Sequence, residues 1–158
     1  MWFKNLKIYL FSKPFTINSD ELDSQLAEKA FQPCGSMQAS SYGWVPPLGN
    51  EGQLLHHSSG KTTMLCARQE EKILPASVVN DMLDENLDVI QAETGRRPVG
   101  KHKQSIKDDL IQELLPKAFS KSRKTCAYID LSHQFLIVDA ASNNKAEELL
   151  QLLRQSLG

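Results

Sequence analysis

The chain has 158 residues, of which 41% are apolar and 23% are charged, and its formal net charge is −1. This length suits one compact domain or one lobe of a larger protein, and the abundant leucine and isoleucine argue against wholesale disorder. No apolar run approaches the ~18 residues of a membrane helix, and the N-terminal segment lacks the features of a signal peptide. Three widely spaced cysteines, Cys34, Cys66 and Cys126, argue against a disulfide scaffold and favour a reducing, cytosolic setting.

Residues 3–11 predict a half-buried first strand, because apolar and polar side chains alternate there. The apolar side of this strand is formed by Leu6, Ile8 and Leu10. Asn18 followed by Glu21 resembles a capping box, which predicts the start of a helix. The apolar stripe of that helix comprises Leu22, Leu26 and Ala30.

A region rich in glycine, serine and proline, residues 32–60, predicts a loop with one short extended piece at Tyr42–Val45. Thr62–Arg68 has the composition of a second strand. Pro75 is well placed to begin a helix over about 76–94, because its missing N–H has no helical partner at that position.

A helix-breaking segment follows at residues 94–100, which contain two glycines and a proline. It separates this helix from a second amphipathic helix at about 102–116. Thr125–Asp130 and Phe135–Asp139 predict a β-hairpin. Ser142 can cap a last helix. The predicted buried stripe of that helix consists of Ala146, Leu149, Leu150, Leu153 and Leu157.

This order of elements predicts an α+β fold: a mixed, largely antiparallel sheet with amphipathic helices and a protruding basic helical hairpin. Residues 1–74 are predicted to form the N-terminal part of the body and residues 75–116 the helical hairpin. Residues 117–158 would complete the body, so that the chain is one folding unit.

The near-neutral net charge of the chain conceals an uneven distribution of charged residues along the sequence. Residues 1–95 sum to −5, residues 96–124 to +6 and residues 125–158 to −2. Such segregation is typical of a protein that binds a polyanion, although charge runs are also common as solvated faces. The candidate DNA-binding residues are Arg96, Arg97, Lys101, Lys103, Lys107, Lys117, Lys121, Arg123 and Lys124.

These basic residues fall into two groups, one at the junction of the two middle helices and one at residues 117–124. Helices joined by a short turn usually lie antiparallel, so the first group would stand at the tip of a helical hairpin and could contact phosphates. Phe119 lies among the second group. Two interpretations of Phe119 stay open: an exposed contact to DNA or to a dimer partner, and an ordinary core residue.

Catalytic and metal-binding interpretations find little support in the sequence. Ser59–Thr62 resembles the end of a phosphate-binding loop, but Leu55 stands where the first glycine is required. His56 and His57 lack metal-ligand spacing and are expected to be satisfied or solvent-exposed. An acidic row on the first middle helix could gather Mg²⁺ for a nuclease, yet is better explained as a solvated face. The row consists of Asp81, Asp84, Glu85 and Asp88. The sequence therefore predicts no enzyme, no cofactor and no metal.

Six blocks of sequence, in the same order, resemble the bacterial RdgC family of recombination-associated proteins. They are Met1–Leu6, Phe31–Ser36, Gly43–Gly49, Cys66–Pro75, Leu114–Ser120, and Val138–Ser142 with Lys145–Glu147. The resemblance implies a sequence-independent DNA-binding protein that forms a ring-shaped dimer and restrains RecA. It also implies a cytoplasmic, nucleoid-associated location. The residues carried over are the tip residues Arg96 and Arg97, and the pair Lys117 and Phe119.

Two departures from the family stand out. Members are about twice as long, so the resemblance implies that this chain is the N-terminal portion of a longer protein or a naturally short relative. In addition, Gly95, Pro98 and Gly100 shorten the hairpin helices. We expect double-stranded DNA as the partner, with single-stranded DNA as an alternative, and a homodimer that antagonises RecA without membrane association. The alternative function is a protein-interaction or dimerisation module that does not bind DNA itself.

Overall fold

The computed structural model describes residues 3–16, 18–49 and 52–158, so Met1 and Trp2 of the first resembling block lie outside the described residues. The elements are β1 (Leu6–Leu10), α1 (Ser19–Ala27), β2 (Ser40–Val45), β3 (His56–Ser59), β4 (Thr62–Lys72), α2 (Ala76–Thr94), α3 (Gly100–Leu114), β5 (Ser120–Asp130), β6 (Phe135–Asp139) and α4 (Asn143–Leu157). A short 3₁₀ helix, Leu115–Lys117, follows α3. None of the described helices combines the length and apolar character needed to cross a membrane.

The strands form one mostly antiparallel sheet in the order β1-β6-β5-β4-β2, with β3 paired to β4, which confirms the α+β prediction. Contacts divide the chain into two units. The sheet unit comprises Met1–Pro33, Ser41–Gln69 and Ser122–Gly158, and the hairpin unit comprises Cys34–Ser40 and Glu70–Lys121.

Helices α1 and α4 cover one face of the sheet and form the main hydrophobic core with it. Leu22 and Leu26 are buried as predicted, and the Asn18 side chain caps α1 by accepting a hydrogen bond from the Asp20 N–H. The core includes one buried side-chain hydrogen bond, in which the Trp44 indole N–H donates to Ser156 Oγ at 2.8 Å. Burial of these apolar side chains is the main force that holds the helices on the sheet.

The prediction for β1 was wrong about which side is buried. Tyr9 packs against the main core, whereas Leu6, Ile8 and Leu10 are 56%, 59% and 74% exposed. The reason is the register with β6, which places Tyr9 opposite the buried Leu136. Tyrosine contributes a large apolar ring to a core, and a simple apolar/polar alternation does not count it as apolar.

Two further expectations need correction. Ala30 does not continue the helical stripe, because α1 ends at Ala27 and Ala30 forms an isolated bridge with Trp44 instead. The predicted loop over residues 32–60 contains β3, whose His-Ser composition gives no strand signal. This strand exists because it pairs with β4, with His56 opposite Leu65.

Cys66 and Cys126 form a disulfide, although the number and spacing of the cysteines argued against a disulfide scaffold. The two residues are 60 positions apart in sequence, but they lie on neighbouring strands with a Cα–Cα distance of 4.1 Å. The Leu131 N–H donates to the Lys61 carbonyl at 2.9 Å, and this antiparallel register brings the cysteines directly opposite each other. Cys34 is a free cysteine.

Candidate nucleic-acid interface

The hairpin unit is built on two amphipathic helices, α2 and α3, that pack through a small apolar core. Its buried members are Val79, Leu83, Leu87 and Leu110. The observed helix bounds of Ala76–Thr94 and Gly100–Leu114 agree closely with the prediction, because apolar residues recur on one face of each helix. Only residues 95–99 connect the helices, so the basic residues around this turn share the end of the hairpin, which we call the hairpin tip (residues 95–103).

The turn between the helices has a defined backbone conformation. Gly95 has φ 72°, in the left-handed region, and its N–H donates to the Gln91 carbonyl at 2.8 Å, as in a helix C-terminal cap. The Thr94 hydroxyl donates to the Ile90 carbonyl at 2.7 Å and accepts a bond from the Arg96 N–H at 3.5 Å. These contacts fix the position of the chain as it leaves α2.

Arg97 belongs to the predicted DNA-binding set, but carboxylates of α2 already bind its guanidinium. Nη2 lies 3.0 Å from Asp84 Oδ1, and Nη1 pairs with Asp88 Oδ1. The two aspartates are four residues apart and therefore lie on the same face of the helix. Arg97 thus fastens the turn to α2, and its charge is largely compensated locally.

Three other cations of the hairpin tip are exposed and uncompensated. In the described part of the chain, no hydrogen bond or ion pair engages the side chains of Arg96, Lys101 and Lys103. The first turn of α3 contains no acidic residue. The positive end of the helix dipole therefore adds to the charge of Lys101 and Lys103. This arrangement can attract a phosphate group.

Lys107 and Lys117 are partly engaged with neighbouring side chains. Lys107 Nζ donates to Asn80 Oδ1 at 3.3 Å, which links α3 to α2. Lys117 Nζ lies 2.9 Å from Glu113 Oε1, and the hydrogen bond and charge of this lysine lower the pKa of the glutamate. Lys117 is exposed, so its contact can exchange with solvent or phosphate, whereas Lys107 is half-buried.

The second basic group occupies the beginning of β5. Lys121 lies in the hairpin unit, and Arg123 and Lys124 lie in the sheet unit. All three are exposed, and their side chains have no ion pair among the described residues. Phe119 precedes them and is 85% exposed, while its carbonyl accepts a bond from the Ile73 N–H at 2.7 Å. The interpretation of Phe119 as a core residue is therefore wrong, and its role as a contact stays a prediction.

A family profile described as "Putative exonuclease, RdgC" matches residues 1–158. Proteins named "Recombination-associated protein RdgC" from Aeromonas hydrophila, Psychromonas ingrahamii and Tolumonas auensis are 46%, 45% and 43% identical to this chain. Each match covers 100% of the chain. The chain belongs to the RdgC family. It spans about half the length of these RdgC relatives, 52% in each case.

The RdgC relatives are named for recombination, whereas the family description mentions an exonuclease. The acidic row is exposed on α2, and two of its members bind Arg97. The described residues contain no group of three or more His, Cys, Asp or Glu side chains that could hold a metal ion. His56 is buried with Nε2 3.2 Å from the Ser19 carbonyl, whereas His57 is exposed, as the sequence predicted for this pair.

Sequence reasoning missed one cation of the sheet unit in this RdgC chain. Arg68 lies on β4 with its guanidinium 4.7 Å from the centre of the Phe31 ring. It also donates to Ser122 Oγ at 2.9 Å through Nη2. Residues so far apart in sequence give no local signal. The pairing of β4 with β5 brings Ser122 close to Arg68, and the pairing of β4 with β2 brings Phe31 close, because the Phe31 N–H is bonded to the Trp44 carbonyl of β2. Arg68 is therefore held in place by a cation–π contact and a hydrogen bond.

Proposed function

We propose that this chain binds DNA without sequence preference and takes part in homologous recombination as a homodimer that occupies DNA and restrains RecA. The observation that carries the proposal is the group of exposed, uncompensated cations at the hairpin tip: Arg96, Lys101 and Lys103. Membership of a family whose relatives are named recombination-associated supports the biological setting.

The proposed mechanism is electrostatic. Lysine and arginine side chains neutralise backbone phosphates and release condensed counterions, and they make no contact that distinguishes one base pair from another. Arg96 can bind a phosphate with two hydrogen bonds, whereas Lys101 and Lys103 act as point charges. A protein bound in this way blocks the DNA on which RecA assembles, so inhibition needs no chemical step.

Fluorescence anisotropy across a salt series tests DNA binding directly. The probes are a random-sequence duplex and a single strand of the same length, each labelled with a fluorophore. Six phosphate contacts predict a slope of log K against log salt of about −5, because each contact contributes about −0.9 on duplex DNA. Changing Arg96, Lys101 and Lys103 to alanine should make this slope shallower by about 2.7.

A matched triple variant controls for the loss of net charge. Lys13, Lys29 and Lys145 lie in the sheet unit, so replacing them with alanine removes the same charge without touching the hairpin tip. We expect this control to keep the original slope. An equal change in both triple variants, or none in the tip variant, would exclude the hairpin tip as the phosphate-binding surface.

The alternative, an interaction module without DNA binding, is favoured by one observation, the 85% exposed Phe119. It predicts a dimer that shows no salt-dependent retention of DNA. RecA-promoted strand exchange separates the two functions: an occluding protein inhibits in proportion to DNA coverage, and the tip variant loses inhibition. Inhibition by the tip variant at wild-type strength would favour protein interaction instead.

A further inference from the structure

Cys66 and Cys126 lie on the face of the sheet opposite the main core. Their neighbours Leu65 and Ala127 belong to that core, and successive side chains of a strand point to opposite faces. The two cysteines instead form a small buried cluster with Met64. The residues that pack against this cluster are Phe3, Val45 and Tyr128. The two sulfur atoms therefore lie in an apolar environment within the sheet unit.

The backbone of β4 and β5 brings the two cysteines together. The Leu131 N–H donates to the Lys61 carbonyl at 2.9 Å near one end of the strand pair. Near the other end, the Ile73 N–H donates to the Phe119 carbonyl at 2.7 Å. Both bonds fit one register, in which the cysteines are opposite each other with Cα atoms 4.1 Å apart. Because the strand pairing holds this register, two thiols and a disulfide can occupy the same backbone.

Two cations lie beside the cysteine pair on the same face of the sheet. The register places Arg68 opposite Lys124, each two residues along its strand from a cysteine. Arg68 is half-buried and Lys124 is exposed. Positive charge beside a cysteine favours its thiolate, which is the form that attacks a disulfide. It also attracts an anionic reagent, such as glutathione disulfide.

Cys126 is the more accessible member of the pair. It is 6% exposed, whereas Cys66 is fully buried. Phe3 and Tyr128 pack against the cluster and stack on each other, with ring centres 4.4 Å apart. Phe3 precedes β1, so its ring can move aside without breaking a strand pairing. A small reagent therefore reaches Cys126 first, when this aromatic stack opens.

We propose that Cys66 and Cys126 are a reversible redox site that glutathione disulfide oxidises. The Cys126 thiolate attacks glutathione disulfide, which forms a mixed disulfide and releases one glutathione. The Cys66 thiolate then attacks the Cys126 sulfur and releases the second glutathione. The two cysteines lose two electrons and two protons, and glutathione disulfide accepts them to become two molecules of glutathione. Excess glutathione reverses both steps.

Oxidation should stabilise the folded chain. The disulfide joins residues that are 60 positions apart in sequence, and the segment between them includes α2 and α3. A cross-link that closes a long loop lowers the conformational entropy of the unfolded chain. The redox state of the pair would thus adjust stability without changing the strand register. This inference goes beyond the proposed function and does not depend on DNA binding.

Thiol alkylation followed by mass spectrometry measures the redox state of the pair. The test uses the folded 158-residue chain with Cys34→Ser, so that only Cys66 and Cys126 can react. The chain is equilibrated without oxygen at different ratios of glutathione to glutathione disulfide, then acid-quenched, denatured and alkylated. We expect both cysteines to be alkylated in excess glutathione, neither in excess glutathione disulfide, and the same transition from both directions. A chain that keeps one state at every ratio would overturn the inference.

Thermal unfolding tests the predicted stabilisation. The oxidised Cys34→Ser chain should unfold at a temperature roughly 5–15 °C higher than the same chain in an excess of dithiol reductant. Cys66→Ala in the same background cannot form the bond, so its unfolding temperature should not respond to the reductant. An equal response of both chains would show that the reductant acts elsewhere and would contradict the stabilisation by the disulfide.

Single-cysteine variants test which sulfur reacts first. In the Cys34→Ser background, Cys66→Ala should leave Cys126 able to form a mixed disulfide with glutathione. Cys126→Ala should leave the buried Cys66 much less reactive. Phe3→Ala should accelerate the reaction of Cys126 several-fold, whereas Leu10→Ala, which removes a 74% exposed side chain, should not. Faster reaction of Cys66 than of Cys126 would overturn the proposed order of attack.

The role of the neighbouring cations is tested by the charge of the reagent. Lys124→Gln should slow oxidation by anionic glutathione disulfide several-fold, and should slow oxidation by uncharged hydroxyethyl disulfide less. Lys145→Gln removes the same charge from α4, on the other face of the sheet, and should leave both rates unchanged. Equal slowing by Lys124→Gln and Lys145→Gln would show an effect of net charge and would contradict the local role of Lys124.

Discussion

Releasing Arg97 from its carboxylates should strengthen DNA binding. The perturbation is Asp84→Asn with Asp88→Asn, which removes both ion-pair partners of the guanidinium. Arg97 then joins Arg96 at the hairpin tip as an uncompensated cation. The pairs are exposed, so their loss should lower the free energy of unfolding by only about 0–1 kcal/mol each.

The magnitude follows from counterion release. One additional phosphate contact makes the slope of log K against log salt steeper by about 0.9. Over a fourfold change in salt concentration, this corresponds to roughly a 3.5-fold larger loss of affinity than the wild type shows. Anisotropy titrations of the same labelled duplex at four or more salt concentrations resolve a change of this size.

The matched control removes two carboxylates of the same helix without releasing Arg97. Asp81 and Glu85 are exposed on α2, and neither forms an ion pair with any described residue. Asp81→Asn with Glu85→Gln should raise affinity through net charge and leave the slope unchanged. An equal steepening in both variants would show a general charge effect and refute the specific role given to Arg97. An unchanged slope in the Asp84/Asp88 variant would place Arg97 outside the DNA contact.

Three further predictions concern the described contacts. Ser156→Ala leaves the buried indole N–H of Trp44 unpaired and should lower the free energy of unfolding by about 1–3 kcal/mol, measured by urea denaturation. Gly95→Ala forces a side chain into the left-handed region and should cost about 1–2 kcal/mol in the same measurement. Lys117→Ala should return the lowered pKa of Glu113 to its ordinary range, which an NMR titration of the Glu113 carboxyl group measures. Because the pKa of Glu113 is lowered in the folded chain, the Lys117–Glu113 pair stabilises the fold at pH values above the ordinary pKa of glutamate. This stabilisation is lost as the pH falls through the lowered pKa.

Each of these predictions has a control of the same chemistry. Ser24→Ala removes an exposed hydroxyl that donates to the Asp20 carbonyl, and should change stability far less than Ser156→Ala. Gly35→Ala introduces a methyl group at an ordinary φ, with Gln38 Oε1 3.4 Å away as the nearest atom. If Gly35→Ala lost as much stability as Gly95→Ala, the explanation by the left-handed backbone conformation of Gly95 would be refuted. If Lys117→Ala left the pKa of Glu113 unchanged, the lysine would not be the cause of the lowered pKa.

The helices could be predicted closely from sequence because their signals are local. Pro75 marks the start of α2 and Gly95 its end, and the apolar residues between them recur with helical spacing. Ser142 caps α4 by accepting from the Lys145 N–H, as its position before an amphipathic run predicted. Such features depend on residues within a few positions of one another, so no knowledge of the tertiary structure is needed.

The sheet and the ion pairs could not be predicted in the same way because they depend on distant partners. The buried side of β1 is determined by its register with β6, and the disulfide of Cys66 and Cys126 by the register of β4 with β5. Similarly, the net charge of residues 96–124 includes Arg97, although α2 supplies carboxylates that compensate it. A charge sum over a segment therefore overstates the number of cations that are free to bind DNA.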